Sequence, residues 1–138
     1  MLSRRNAREA VIGLVFELGF HTEDYVPADI LATARAERDI PEDEYIDSCY
    51  NGICANLAAL DAEIEKHSSG WRVDRISRVS LSILRLAAYE MLYCEPKLPY
   101  SIAINEAVEL AKLYAEDGAA SFINGLLNSL AKANGCEA

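Results

Sequence analysis

The sequence predicts an all-α fold, in which about six main helices form a single-domain helical bundle. Apolar residues recur every three or four positions along most of the 138-residue chain, which is the period of an amphipathic helix. Strand-like alternation is missing, and the segments between the apolar stripes are short, as in antiparallel bundles. Because the chain has the length of one domain and no repeat or long linker, we expect one domain over residues 1–138.

The first three predicted helices are bounded by cap and break residues. The first runs from about residue 3 to residue 19, with Ser3 as a candidate N-cap. The second spans about residues 27–38. The third starts at Pro41, places acidic residues in its first turn, and ends before Gly70. Its apolar stripe keeps helical spacing throughout and consists of Ile46, Cys49, Tyr50, Ile53, Leu57, Leu60 and Ile64.

The last three predicted helices span about residues 73–93, 99–114 and 119–133. Prolines mark the end of the fourth helix and the start of the fifth. Pro96 follows the fourth helix, and Pro99 suits the first turn of the fifth, where a missing N–H costs nothing. A glycine just beyond the sixth helix is placed to stop it.

Composition argues against metal, disulfide and membrane roles. A chain of this size buries roughly two thirds of its unfolded surface, so its core needs no covalent or metal staple. The longest apolar run, residues 10–16, is far short of the ~20 residues that span a bilayer. We therefore expect a cytoplasmic protein with no membrane partner, no metal and no cofactor. The four cysteines form no CxxC pair, and we interpret them as small apolar residues in a reducing compartment: Cys49, Cys54, Cys94 and Cys136.

The net charge of −9 is unevenly distributed along the chain. Residues 1–16 carry a net charge of +2, residues 17–65 carry −11, and residues 66–138 are balanced. A compact positive start beside an acidic middle segment (residues 17–65) indicates two surfaces with different partners, although acidic faces often serve solubility alone. Motifs of catalysis, such as a phosphate-binding glycine loop, HExxH or GxSxG, are missing, so we predict that the chain is not an enzyme.

Four sequence motifs, in order, resemble the NusB family of transcription antitermination factors. They are RRNARE at residues 4–9, ILRLAAYE at 83–90, PYSIAINEAVELAK at 99–112 and FINGLL at 122–127. The resemblance covers the whole chain. It implies two small helical subdomains, the first three helices packed against the last three. It also implies that the protein binds boxA RNA of nascent ribosomal RNA transcripts together with the ribosomal protein NusE, within an RNA polymerase antitermination complex. The sequence leaves a homodimer open.

The basic start is the candidate RNA-binding element. Arg4, Arg5 and Arg8 lie within two helical turns, and guanidinium groups match phosphate oxygens bidentately. Alone, such a cluster could serve only solubility, but the resemblance implies that this helix holds RNA. Family members often have Gln and Tyr where this chain has Gly13 and Phe16. Phe16 can still pack or stack, without the hydroxyl donor.

Phe122 is the second candidate RNA contact. It lies in the first turn of the last helix, where its ring could stack on an unpaired base. The alternative is that Phe122 belongs to the core, and the sequence does not decide between the two. Asn124 and Gly125 are expected to serve helix packing.

Partner binding is assigned to the start of the fourth predicted helix. The resemblance implies that NusE contacts this half, and the candidates are Arg75, Arg78 and Ser80. Ser80 stands where the family often has an acidic residue. The acidic middle segment suits a basic ribosomal partner by charge complementarity.

Further polar residues interrupt the apolar helices at Arg85, Glu90, Asn105 and Glu106. We interpret them as a structural network, because buried charges must be paired. Two other functions remain open. One is a protein-interaction scaffold with this fold and little RNA affinity. The other is a stand-alone relative of the RNA-binding domain of ribosomal RNA cytosine methyltransferases.

Overall fold

The computed structural model describes residues 2–18, 27–38 and 40–138 of the chain. Within these ranges there are seven α-helices, one short 3-10 helix at Val73–Arg75 and no strand, which confirms the all-α prediction. The α-helices are α1 (Arg4–Leu18), α2 (Pro27–Arg38), α3 (Glu44–Ala55), α4 (Leu57–Lys66), α5 (Arg78–Leu92), α6 (Tyr100–Tyr114) and α7 (Ala119–Ala133).

Helix α5 lies at the centre of the bundle. It packs against α1, α3, α4, α6 and α7, and most of its residues are buried because apolar side chains cover nearly its whole circumference. Helices α1 to α3 pack on one another on one side, and α5 to α7 on the other. This arrangement agrees with the two three-helix subdomains implied by the resemblance, with α4 touching both groups.

The third predicted helix is two helices in the structure, which corrects the prediction of one helix that starts at Pro41 and ends before Gly70. The backbone leaves helical geometry at Asn56, whose φ is −116° and ψ is 18°. The Asn56 side-chain amide donates to the Gly52 carbonyl oxygen at 2.8 Å, so it competes locally for helix hydrogen bonds. The predicted apolar stripe survives the break and is buried, except for the half-buried Leu57.

Two helix starts lie later in the chain than predicted because side chains cap them. Asp43 is extended, and its carboxylate accepts from the backbone N–H groups of Tyr45 and Ile46, so α3 begins at Glu44. The Ser77 hydroxyl oxygen accepts from the backbone N–H of Ser80 at 3.3 Å, so α5 begins after the 3-10 turn.

Other predicted ends agree closely with the structure. Helices α2 and α7 have the predicted bounds, and α6 begins one residue after Pro99. The Ser3 hydroxyl oxygen accepts from the backbone N–H of Asn6 at 3.0 Å, which makes Ser3 the cap of α1. The predicted end of the first helix at residue 19 lies outside the described residues.

The cysteines are free thiols, and burial raises the pKa of Cys49 to about 12. Among the described residues, no group of three or more His, Cys, Asp and Glu side chains could hold a metal ion. No helix in the described part of the chain is long and apolar enough to cross a membrane.

Candidate RNA-binding surface

The first two turns of α1 direct their arginines to three different environments. Arg4 points to α3, where its guanidinium lies over the Tyr45 ring. Arg5 points to α6, where it pairs with Glu106. Arg8 points into the bundle between α5 and α6. The three arginines are close in sequence, but they differ in exposure and in whether a carboxylate is bound to the guanidinium.

Arg8 is buried, which contradicts the prediction that it contacts RNA phosphates. Only 5% of its surface is exposed. Its Nε donates to the Glu90 carboxylate at 2.9 Å and its Nη1 donates to Glu106 at 3.1 Å. Burial raises the pKa of Glu90, and the positive charge of Arg8 opposes that shift. Arg8 therefore holds α1 to α5 and α6, and its donors face inward.

The predicted structural network exists, but Arg8 is the arginine that Glu90 and Glu106 hold. Arg85 instead forms a bidentate pair with Asp61 of α4, with both N–O distances at 2.8 Å. Asn105 is exposed, and its side chain has no hydrogen-bond partner among the described residues, so it takes no part in the network. The error arose because the sequence does not show which distant helix supplies each partner.

Arg5 is accessible but already paired. Its side chain is 44% exposed, and it forms an ion pair with Glu106. The Arg5 Nε also donates to the Oε1 atom of Glu106 at 3.4 Å. The Glu106 carboxylate raises the pKa of Arg5. A phosphate at Arg5 would therefore share the guanidinium with Glu106.

Arg4 is exposed, and no carboxylate among the described residues forms an ion pair with it. Its guanidinium carbon lies 3.9 Å from the centre of the Tyr45 ring, whereas that of Arg8 lies 5.8 Å away. A stacked guanidinium keeps its N–H donors at its edge. Arg4 is thus the arginine of this cluster with uncommitted donors.

Phe122 is half-buried: one part of its ring packs in the core and the other part is exposed to solvent. It packs against the core and also lines a surface cavity of about 360 Å³. The same cavity contains Arg75 and Ser80, which were predicted to bind the partner, and Trp71. Sequence reasoning missed Trp71, although it is the single tryptophan of the chain and is 56% exposed.

Ser80 is buried, which contradicts its assignment as a partner contact. It is 3% exposed, and its hydroxyl donates to the Glu116 carboxylate at 2.9 Å. Ser77 donates to the same oxygen at 3.0 Å. These hydroxyls, Ser77 first, lower the pKa of Glu116. Ser80 therefore ties α5 to the turn before α7, and Arg75 is the exposed predicted partner residue in this cavity.

Phe16 and Arg78 lie at a second surface cavity of about 270 Å³ between α1 and α5. Phe16 is half-buried and Arg78 is exposed. The structure thus places Phe16 beside a predicted partner residue. Arg4 lines neither this cavity nor the one at Phe122, but a third one beside Tyr45.

Asn124 and Gly125 do not serve helix packing, which corrects that expectation. Both are exposed, and a Cβ added at Gly125 would meet no atom within 4 Å in the described part of the chain. The Asn124 carbonyl oxygen accepts from the Asn128 side-chain amide at 2.9 Å.

Comparison with known proteins supplies the family. The NusB family model matches residues 5–132. The transcription antitermination protein NusB of Natranaerobius thermophilus is 44% identical over 133 residues, which cover 94% of this chain and 95% of that protein. The protein of the same name from Clostridium novyi is 35% identical and covers 96% of this chain and all of its own.

Solved structures agree with the sequence comparison. A structure of T. maritima NusB has a TM-score of 0.80 and 32% identity, and the match covers 95% of this chain and 92% of that one. A structure of the antitermination factors NusB and NusE in complex with dsRNA has a TM-score of 0.80. It is 24% identical, covers 94% of this chain and 96% of that one, and shows a shared fold.

These relatives are transcription antitermination proteins and not enzymes, which confirms the prediction that this chain is not an enzyme. The match extends over nearly the whole chain in sequence and in structure. This chain belongs to the NusB family.

Proposed function

We propose that this protein binds boxA RNA of nascent ribosomal RNA transcripts together with the ribosomal protein NusE. It acts as one domain over residues 1–138, in the cytoplasm, within an RNA polymerase antitermination complex. The observation that carries the proposal is the exposed pair Arg4 and Arg5 at the start of α1. A related fold in complex with NusE and dsRNA supports the choice of partners.

The arginines supply the phosphate contacts of the proposed surface. Arg4 has uncommitted donors, and Arg5 adds a contact that competes with Glu106. Guanidinium groups bind phosphate oxygens through charge-assisted hydrogen bonds. Arg8 is left out of the RNA contacts because it is buried between two carboxylates.

Aromatic rings supply base stacking. Phe122 and the exposed Trp71 line one cavity, where an unstacked base can meet a ring face. Phe16 contributes a further ring at the cavity between α1 and α5.

NusE is proposed to contact the start of α5. Arg75 at the end of the 3-10 helix and Arg78 at the first position of α5 are both exposed. Ser80 is left out because it is buried and bonded to Glu116. Four acidic residues of α2 to α4 are exposed, and they suit a basic ribosomal protein by charge complementarity: Asp29, Glu37, Glu44 and Glu65.

The test is an RNA titration with boxA-like and scrambled oligonucleotides, with and without NusE, at one salt concentration. NusE should tighten boxA binding by about tenfold or more, which is a coupling free energy of about 1.4 kcal/mol. The coupling must be reciprocal, so boxA RNA should tighten NusE binding by the same factor. Equal affinities with and without NusE would contradict the cooperative proposal.

Salt dependence tests the arginines. Arg4→Ala and Arg5→Ala should each weaken boxA and scrambled RNA alike and reduce the salt slope by roughly 0.7 for each phosphate that the variant no longer neutralises. Lys66→Ala is the matched control, because it removes one exposed positive charge at the end of α4. It should leave the slope unchanged.

A protein-interaction scaffold is the second candidate function. One specific observation favours it: two of the three arginines of α1 are already paired with carboxylates. A scaffold would bind NusE, and RNA would not change its affinity. The same RNA titration distinguishes the two functions.

A further inference from the structure

Tyr45 is the aromatic residue whose ring contacts the Arg4 guanidinium, and backbone hydrogen bonds at the start of α3 fix its position. It lies in the first turn of α3, two residues after the cap Asp43. Asp43 accepts from the Tyr45 backbone N–H at 2.9 Å and from that of Ile46 at 3.1 Å. The base of the Tyr45 side chain is therefore held at the start of α3.

The ring of Tyr45 contacts the arginine cluster through its face. The Arg4 guanidinium carbon is 3.9 Å from the ring centre, well inside the range of a cation–π contact. The ring hydroxyl is buried and has no hydrogen-bond partner among the described residues. Tyr45 therefore contacts its neighbours through its ring, and its hydroxyl makes no hydrogen bond to the described residues.

Arg4 is held by an aromatic ring although carboxylates are close. Glu44 and Glu95 line the same surface cavity of about 520 Å³ as Arg4 and Tyr45, and neither forms an ion pair with Arg4. An ion pair would occupy edge donors of the guanidinium, as Glu106 does at Arg5. Stacking restricts the side chain and leaves those donors free.

We propose that Tyr45 is a positioning residue for RNA binding, whose ring holds the Arg4 guanidinium flat so that its edge donors meet a backbone phosphate. A phosphate then binds a side chain that is already ordered, which lowers the entropy cost of the contact. This inference rests on the proposed RNA-binding function and adds a residue outside the RRNARE motif to it. The Tyr45 hydroxyl has no part in the proposed role.

The experiment measures binding of a boxA-like RNA oligonucleotide to the full chain and its variants. Tyr45→Phe keeps the ring and should bind like wild type, whereas Tyr45→Leu should bind about three- to tenfold more weakly. In an Arg4→Ala background the Tyr45→Leu change should have no further effect, because the positioned group is gone. Tyr93→Leu is the matched control, since Tyr93 is an exposed ring at the end of α5.

A second variant avoids any loss of packing at α3. Arg4→Lys keeps the charge but replaces the planar group by a point charge, so it should weaken binding nearly as much as Arg4→Ala. Arg5→Lys should be better tolerated, because no ring among residues 2–18, 27–38 and 40–138 is stacked on the Arg5 guanidinium. Equal tolerance of lysine at both positions would overturn the inference.

An NMR measurement without RNA separates this inference from the proposed function. The Arg4 side-chain protons should show an upfield ring-current shift that Tyr45→Phe retains and Tyr45→Leu removes. If Arg4→Ala weakens RNA binding and Tyr45→Leu does not, the positioning role is wrong and the RNA-binding function stands. If the wild-type chain with its ring-current shift binds no RNA, the proposed function is wrong and the inference falls with it.

Discussion

At the residue scale, the three arginines of α1 differ because their neighbours differ. Arg8 is enclosed by Glu90 and Glu106, Arg5 shares Glu106, and Arg4 rests on a ring. A buried charge must keep its partners, whereas an exposed one can exchange them for a ligand. Position along one helix face is therefore a poor guide to which arginine binds RNA.

Arg8→Ala should destabilise the protein by about 3–5 kcal/mol, because it leaves Glu90 buried without its countercharge. Chemical denaturation measures this change. Arg5→Ala is the control, and its stability should stay close to wild type because its pair with Glu106 is solvent-exposed. An Arg8→Ala variant with wild-type stability and weakened RNA binding would make Arg8 a phosphate contact after all.

Phe122→Ala should lose less stability than the about 3–5 kcal/mol typical of a buried phenylalanine, since its ring is only half-buried. RNA binding should weaken by about 1–3 kcal/mol with little change in salt slope, if the ring stacks on a base. Thermal unfolding and an RNA titration on the same variant measure both effects.

Two controls complete the Phe122 experiment. Phe122→Leu should keep most of the stability and still lose RNA affinity, because leucine packs but cannot stack. Ile123→Ala, at a neighbouring buried position, should lose about 2–5 kcal/mol of stability. Undiminished RNA binding by folded Phe122→Ala would remove Phe122 from the proposed surface.

At the element scale, side-chain hydrogen bonds decide where several helices begin and end. Asp43 starts α3, Ser77 starts α5, and Asn56 separates α3 from α4. Apolar periodicity continues across Asn56, so the periodicity alone predicts one long helix. A side-chain hydrogen bond such as that of Asn56 can therefore interrupt a helix, although the apolar residues on both sides of the break stay buried in one core.

Gly13→Ala should stabilise the protein by about 0.5–1 kcal/mol, because glycine inside α1 costs conformational entropy and an added Cβ meets no atom of the described residues within 4 Å. Thermal unfolding measures the gain. Gly52→Ala is the opposite case, since its Cβ would overlap the Tyr89 ring, and that variant should be less stable. A lower stability of Gly13→Ala would show that the open space beside α1 is filled in solution.

At the scale of the whole molecule, ion pairs and hydrogen bonds join segments that are far apart in sequence. Glu116 joins the turn before α7 to the start of α5, and Glu63 joins α4 to Asn134 just beyond α7. Hydrogen bonds lower the pKa of both carboxyls, from Ser77 foremost at Glu116 and from Lys66 foremost at Glu63. Because these hydrogen bonds form only when the helices are packed, they make the free energy of unfolding depend on pH in the acid range.

The free energy of unfolding should fall as the pH falls below the ordinary carboxyl value of 4.5, towards the lowered pKa values of Glu116 and Glu63. The unfolded chain takes up these protons first, so the stability that both groups contribute is present above that value and is lost below it. Denaturation across this pH range measures the slope, and Glu116→Gln should make it shallower. The pKa of Glu90 is raised, so its contribution to stability changes with pH in the opposite direction. The difference in slope between wild type and Glu116→Gln therefore gives the contribution of Glu116 alone. An unchanged slope in Glu116→Gln would contradict the linkage.

Much of the fold was predictable because helix periodicity and cap residues are local properties of the chain. The buried stripe of α3 and α4 follows from apolar spacing, and the bounds of α2 and α7 follow from spacing together with residues that begin or end helices. The site was predicted less well. Arg4 and Arg5 are exposed as expected, but Arg8 and Ser80 are buried.

The sequence by itself determined the helical class, most helix bounds and, through its motifs, the family. Only the tertiary structure decided which polar side chains are free to bind. Arg8 meets Glu90, 82 residues away, and Glu106, 98 residues away. Hydrophobic spacing places each helix face towards the core, but it does not choose the polar partner across an interface. That choice depends on how the helices pack, because a charge is neutralised by whichever opposite charge the packing brings within hydrogen-bond distance.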